Sequence, residues 1–266
     1  MVDYLHSYAP QEQQRLQSQA SFLRNLLHSE VVVEEGESLL EIGCGVGAQL
    51  AILAQHPAAR LVGVDRSAEQ LERARALLAG DDRLEWVQAQ GEQLPFSAGE
   101  FDQVFLFFVL EHVDNPGALL REAERVLKKG GKLTVTEVNN RSLQLSPPSL
   151  AIDHYWQAYN QLQVDLGGDP EVGIKLANLG LQAGFEPQSL RSIGPVLDAR
   201  LVGEERQAVV DFWLQLFESV RHRLIGEGRV SARVAEQAFA DLAALPGQPQ
   251  AVLYYAGMQL VARTLK

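Results

Sequence analysis

Apolar positions recur along the chain at two periods, and the alternation between those periods predicts the elements. From Pro10 to Leu27, Leu16, Ala20, Leu23 and Leu27 fall three or four residues apart, the spacing of one helix face. Ser38 to Ile42 is a short apolar run that stops at glycines, as a buried strand does. Ala48 to Ala54 then predicts a helix, and Arg60 to Asp65 a second strand. Ser67 is a helix N-cap, starting a helix that runs to about Leu78. Leu84 to Gln88 reads as a third strand. Phe101 to Phe107 is almost wholly apolar, as expected of a strand covered on both faces. Pro116 to Leu127 carries Leu119, Leu120, Ala123, Val126 and Leu127 on one side of a helix. Gly130-Gly131 is expected to break the chain before a fifth strand, Lys132 to Val138.

Strand and helix thus alternate five times with short joints. That pattern specifies parallel strands, right-handed crossovers and a doubly wound α/β sheet. The second half is less regular. Ser146-Pro147-Pro148 is a breaker, and Ser149 to Val164 reads as a helix crowded with Asp153, His154, Tyr155, Trp156 and Tyr159. Asp169-Pro170-Glu171 combines a cap, a first-turn proline and an acid, so a helix should start there and stop at Gly184. Phe185 to Leu197 reads as strand and Glu204 to Leu224 as a long amphipathic helix. A shorter helix from Ser231 to Leu245 and a last strand from Leu253 to Leu265 complete the chain.

The chain has 266 residues, 46% hydrophobic and 21% charged, which is globular composition for one α/β domain with insertions. Its net charge of -11 repels phosphate backbones, so nucleic acid is excluded as the expected partner. The single cysteine, Cys44, allows no internal disulfide. No apolar run approaches a membrane span, and residues 1–19 are polar, so a cytoplasmic location without membrane attachment is expected. The six histidines show no ligand spacing, and no metal is expected.

The strongest chemical signal is Leu39-Leu40-Glu41-Ile42-Gly43-Cys44-Gly45-Val46-Gly47, a glycine loop between a strand and a helix. Glycines there let backbone approach a ligand, and the N–H groups of the helix start face the same crevice. Asp65 ends the next strand, where a carboxylate can accept two hydrogen bonds from ribose hydroxyls. These features specify an adenosine-type ligand without naming it, because Gly43-x-Gly45-x-x-Ala48 also satisfies the dinucleotide fingerprint.

The loop resembles the first motif of the class I S-adenosylmethionine-dependent methyltransferases, and further blocks match in order. Gly63-Val64-Asp65 is similar to their ribose-binding strand end. Gln90-Gly91-Glu92-Gln93-Leu94-Pro95-Phe96 is similar to their adenine-side loop, with Gln90 where the family often has Asp. Phe101-Asp102 with Phe108-Val109-Leu110-Glu111-His112-Val113 resembles the fourth strand and its following loop. Arg125 to Gly131 resembles the turn into the fifth strand. The resemblance covers residues 35 to 140. A looser one, Glu12-x-x-Arg15-Leu16-x-x-Gln19, is similar to a lead-in segment that folds over the methionine end of the cofactor.

The resemblance implies a Rossmann-like fold with a doubly wound, mostly parallel seven-stranded sheet, an N-terminal helix, and a helical cap from insertions in the C-terminal half. It divides the chain into an N-terminal helical lid (1–34), an S-adenosylmethionine-binding core (35–140) and the remaining sheet with its cap (141–266). The cofactor-binding set it implies is Glu41, Gly43, Cys44, Gly45 and Gly47; Asp65 and Arg66; Gln90, Gly91 and Glu92; Phe107 and Phe108; and Tyr8, Arg15 and Gln19. Methyl transfer needs positioning more than a catalytic triad. His112, Glu137 and Tyr155 are nonetheless the candidates for acid–base chemistry, and Tyr155, Trp156 and Tyr159 for lining the acceptor pocket. The function expected is methyl transfer to a small-molecule acceptor, with association through the C-terminal helices open. Two alternatives stand: a nicotinamide-dependent oxidoreductase, and a non-catalytic nucleotide-binding module on the same fold.

Overall fold

The computed structural model describes residues 10–265. The alternating pattern becomes a seven-stranded sheet of order β3-β2-β1-β4-β5-β9-β7. Its parallel part is β1 (Ser38–Ile42), β2 (Arg60–Asp65), β3 (Leu84–Gln88), β4 (Phe101–Phe107) and β5 (Leu127–Glu137). β9 (Gly257–Thr264) enters antiparallel between β5 and β7 (Phe185–Ile193). The order reverses beside β1 and β4, which opens a crevice at the carboxyl ends of those strands.

The period of two along β1 separates the cores. Leu40 and Ile42 face α4 (Pro116–Val126) and α6 (Leu176–Gln182), whereas Leu39 faces α1 (Pro10–His28) and α2 (Ala48–Leu53). α4 buries Leu119, Leu120, Ala123 and Val126, and each large one contributes about 1.5–3 kcal/mol. Asn115 caps that helix by accepting from the Ala118 N–H, and Ser67 caps α3 (Ala68–Leu77) by accepting from Gln70. A third core belongs to the C-terminal half. There α5 (Leu150–Asp165), α7 (Glu204–Gly226) and α8 (Ala232–Ala244) pack Tyr155, Trp156, Trp213, Phe217 and Leu242 together.

Four boundaries differ from the sequence expectation. Gly130-Gly131 does not end pairing: β5 begins at Leu127, and residues between Leu127 and Lys132 bulge out, because the opposing pairs step from Phe101 directly to Gln103. The segment after Asp169-Pro170 begins as a tight turn, Val172–Lys175, and α6 starts only at Leu176. The Gly173 N–H donates to the Val138 carbonyl at 2.9 Å, and that docking onto β5 holds the first turn out of α-geometry. β7 ends at Ile193, and Leu197 makes a lone bridge to Leu253. The last apolar run is two strands. β8 (Val252–Tyr254) pairs with β6 (Gln144–Ser146), and the chain crosses to the main sheet at Tyr255-Ala256, where the Ala256 N–H donates to Ser142 Oγ.

Candidate active site

A cavity of about 330 Å³ lies in the crevice. Its floor is the glycine loop. The N–H groups of Gly43 and Cys44 donate to the Val64 carbonyl at 2.8 and 2.9 Å, and the Gly45 N–H donates to Asp65 Oδ2 at 2.9 Å. Gly45 sits at φ +51, and a side chain there would point into open space bordering the cavity. Gly43 lines the cavity and also serves close packing, since its Cβ would meet Val109 Cγ2 at 2.6 Å. Gly47 backs onto Trp86, lies outside the cavity lining and starts α2. Cys44 is buried, and burial pushes its thiol well up, which keeps it protonated and unreactive.

Glu41 is only 2% exposed and borders the cavity, and its Oε2 has no hydrogen-bond partner among the described residues. Burial, reinforced by the charge of Asp65, holds its carboxyl well above the usual range. An arriving cation would favour the ionised form of such a buried acid. Asp65 is also raised by burial, against the backbone donors Ser67 and Gly45 that favour its charge. Arg66, Gln90, Gly91 and Glu92 line the same end. Phe107 and Phe108 border it from β4, and Phe108 holds φ +58 as the chain turns off the strand.

α1 closes one side. Arg15 and Gln19 line the cavity, with Arg15 donating to both carboxylate oxygens of Glu12 at 2.8 and 2.6 Å and to Gln19 at 2.5 Å. Tyr8 lies outside the described residues. The opposite wall is aromatic and comes from the cap: Trp156, Tyr159, Phe212, Trp213 and Tyr255. Trp156 stacks on Tyr159 with centroids 4.8 Å apart and meets Trp213 edge-on at 5.5 Å.

Of the three acid–base candidates only His112 borders the cavity. Burial, with Arg66 and Arg15 nearby, holds it neutral, its value lowered to about 4. Glu137 is a correction. It is fully buried behind the wall, and its carboxylate accepts from the N–H groups of Val109, Leu110 and Glu111, so it anchors the loop after β4. Tyr155 is a second correction, as base and as pocket lining: its hydroxyl donates to the Phe217 carbonyl at 2.7 Å inside the cap core. Sequence reasoning missed Glu111 as a group at the cavity, although it stands in the quoted Leu-Glu-His block. It also did not single out Tyr255.

Residues 40–135 match the family model described as a methyltransferase domain. The chain is 32% identical over 198 residues to a demethylmenaquinone methyltransferase of Clavibacter sepedonicus, covering 74% of this chain and 71% of that protein. The chain belongs to the class I S-adenosylmethionine-dependent methyltransferases. A 27-O-demethylrifamycin SV methyltransferase of Amycolatopsis mediterranei is 30% identical over 71% of this chain and 68% of its own length. An uncharacterized 37.1 kDa transposon protein of Streptomyces fradiae is 35% identical over 152 residues, and there the chain spans only 44% of the relative. Among solved structures, the [4+2]-cyclase SpnF superposes with TM-score 0.60 at 21% identity, over 92% of this chain and 82% of that one. Geranyl diphosphate C-methyltransferase from Streptomyces coelicolor gives 0.56 at 17% identity, over 98% and 88%; these likenesses show the fold.

S-adenosylmethionine is the methyltransferase's cofactor, and the residues present suit it. The unpartnered Glu41 oxygen matches a cationic amine, Gly45 leaves room beside the loop, and Asp65 presents a carboxylate where ribose hydroxyls are read. Membership of this family removes the nicotinamide alternative. Among the described residues no helix is long and apolar enough to cross a membrane, and no cluster of His, Cys, Asp or Glu is arranged to hold a metal.

Proposed function

We propose that this methyltransferase acts on a small, largely apolar acceptor enclosed beneath its helical cap. One observation carries the reading: a single cavity joins Gly45 and Asp65 of the cofactor end to Trp156, Tyr159, Trp213 and Tyr255 of the cap. Aromatic walls bury large apolar area and admit few polar groups, which suits a small molecule with one or two polar atoms. Two relatives are named for demethylmenaquinone and for 27-O-demethylrifamycin SV, both small molecules, which supports the same class.

In this reading the 35–140 core holds the cofactor through Glu41, Asp65 and the loop 90–92, while α1 covers it with Arg15 and Gln19. The cofactor supplies an activated methyl on a sulfonium. The protein orients the acceptor against it, with α1 and the aromatic cap residues lining opposite sides of the cavity. The acidic net charge disfavours nucleic acid as acceptor. The test is a turnover screen with labelled methyl donor against pooled apolar metabolites, comparing wild type with Trp156→Ala. The reading expects label in an organic-soluble product, lost in the variant while S-adenosylhomocysteine still binds. Label found only in protein or RNA would sink it.

A further inference from the structure

Glu111 stands where the cofactor end and the aromatic end of the cavity meet. It lies in the short turn Leu110–His112 after β4 and borders the cavity, yet it is only 6% exposed. Gln163 on α5 donates to its Oε2 at 2.5 Å. Oε1 accepts no hydrogen bond from the described residues, and His112 Nε2 approaches it to 3.6 Å. The turn cannot yield easily, because Glu137 holds the N–H groups of residues 109–111 from behind. A carboxylate with one oxygen pinned by the cap and the other unengaged beside the aromatic walls is placed to receive a proton from whatever binds there.

The groups around it set when it can do so. Burial, the largest effect, opposes its charge, as does Asp169, while the Gln163 hydrogen bond and Arg15 from α1 favour it; Glu111 in turn raises Glu137 behind the turn. The balance raises it to about 7. Tyr159 and Tyr255 face it and are themselves pushed up, so they stay protonated, and His112 stays neutral. Glu111 is therefore a group at the aromatic end of the cavity able to exchange a proton near neutrality.

We propose that Glu111 is the catalytic residue that takes the proton, and that the accepting atom is a hydroxyl oxygen on an apolar, ring-bearing molecule. This deepens the methyltransferase reading above and rests on it. The hydroxyl proton moves to Glu111 Oε1, and an oxygen electron pair forms the bond to the methyl carbon. The carbon–sulfur bond breaks, with its pair staying on sulfur. Oxygen is favoured over nitrogen by charge. An amine enters as an ammonium, and the Arg15 guanidinium already faces Glu111. A second cation would be crowded against that guanidinium, whereas a neutral hydroxyl enters the dry aromatic end at lower desolvation cost.

The test uses 2-naphthol as probe, with 2-naphthylmethylamine, an alkyl amine that carries an ammonium at these pH values, as its nitrogen counterpart, titrated into the full chain saturated with S-adenosylhomocysteine. Wild type is expected to bind 2-naphthol more tightly as pH rises from about 6 to about 8, through the Glu111 value of about 7. Glu111→Gln should bind it about tenfold more weakly, with no such pH dependence, because a hydrogen bond to a charged acceptor is lost. Glu111→Asp should recover part of the pH dependence. With S-adenosylmethionine, mass spectrometry should find the naphthyl methyl ether from wild type, formed about a hundredfold more slowly by Glu111→Gln. Several outcomes overturn the proposal: no 2-naphthol binding by wild type, equal pH-independent binding by the variant, preference for the amine, or a ring-carbon-methylated product. Failure of wild type to bind S-adenosylhomocysteine is a separate result, and it overturns the methyltransferase reading itself.

Discussion

The Gly45 N–H donates to Asp65 Oδ2 across 2.9 Å, so the glycine loop and the end of β2 are tied into one unit. The other oxygen, Oδ1, accepts from the Ser67 N–H at 2.8 Å at the start of α3. Asp65 is thereby aimed before any ligand arrives, and the entropy of orienting it is spent in folding rather than in binding.

Asp65→Ala should weaken S-adenosylhomocysteine binding about tenfold or more, since a hydrogen bond to a charged group contributes about 1.5–3 kcal/mol. Calorimetric titration of the folded variant checks this, and unchanged affinity rules out a ribose contact.

Gly45→Val should abolish cofactor binding and leave the sheet intact. The φ of +51 costs a β-branched residue about 1–3 kcal/mol, but nothing lies within 4 Å of the new Cβ to clash in the empty site. Circular dichroism and a binding titration separate the two effects. Normal binding would mean the loop is only a turn.

Deleting residues 1–20 should raise the S-adenosylhomocysteine dissociation constant without unfolding the sheet. The deletion removes Arg15 and Gln19 from the cavity wall, whereas Leu23 and Leu27 still pack in the core against the β1 side. A melting curve close to wild type with weakened binding is the expected pair of results. Binding as tight as the full chain's refutes the lid.

Tyr155→Phe should cost roughly 1 kcal/mol of stability, the worth of one buried hydrogen bond, with KM and kcat unmoved. Among the described residues its hydroxyl reaches only the Phe217 carbonyl, and its ring stacks on Phe217 at 4.6 Å. A loss of turnover larger than the loss of folded protein would put Tyr155 back in the site.

His112 gives a pH signature of stability. Its native value of about 4 lies below the ordinary 6.5, so between them the unfolded chain binds more protons. Stability from this residue is full above pH 6.5 and is lost as pH falls towards 4, by at most about 3 kcal/mol. Glu111 runs the other way, losing stability as pH rises from 4.5 to about 7. The difference in urea midpoint between wild type and His112→Gln across this range isolates the histidine. A difference that does not vary with pH refutes the assignment.

Local pattern was enough to determine the sheet core and to bring the glycine loop and Asp65 to one crevice. Apolar runs of five to seven residues between capped helices leave little choice of partner, and β1, β2, β3 and β4 have the bounds their residues predict. A glycine loop between a strand and a helix places its own backbone, so Gly45 and Asp65 were legible one motif at a time. Tertiary packing decided the rest, because the relevant neighbours are far apart in sequence. Glu137 and Glu111 carry the same side chain near the same strand ends. Three backbone donors from residues 109–111 engage the first, while Gln163, 52 positions away, leaves the second one open oxygen. Tyr155 and Trp156 are adjacent on one helix, and only the path of α7 turns one into the cap core and the other to the cavity. Helical spacing states that a face is buried; what buries it depends on segments that no local period encodes.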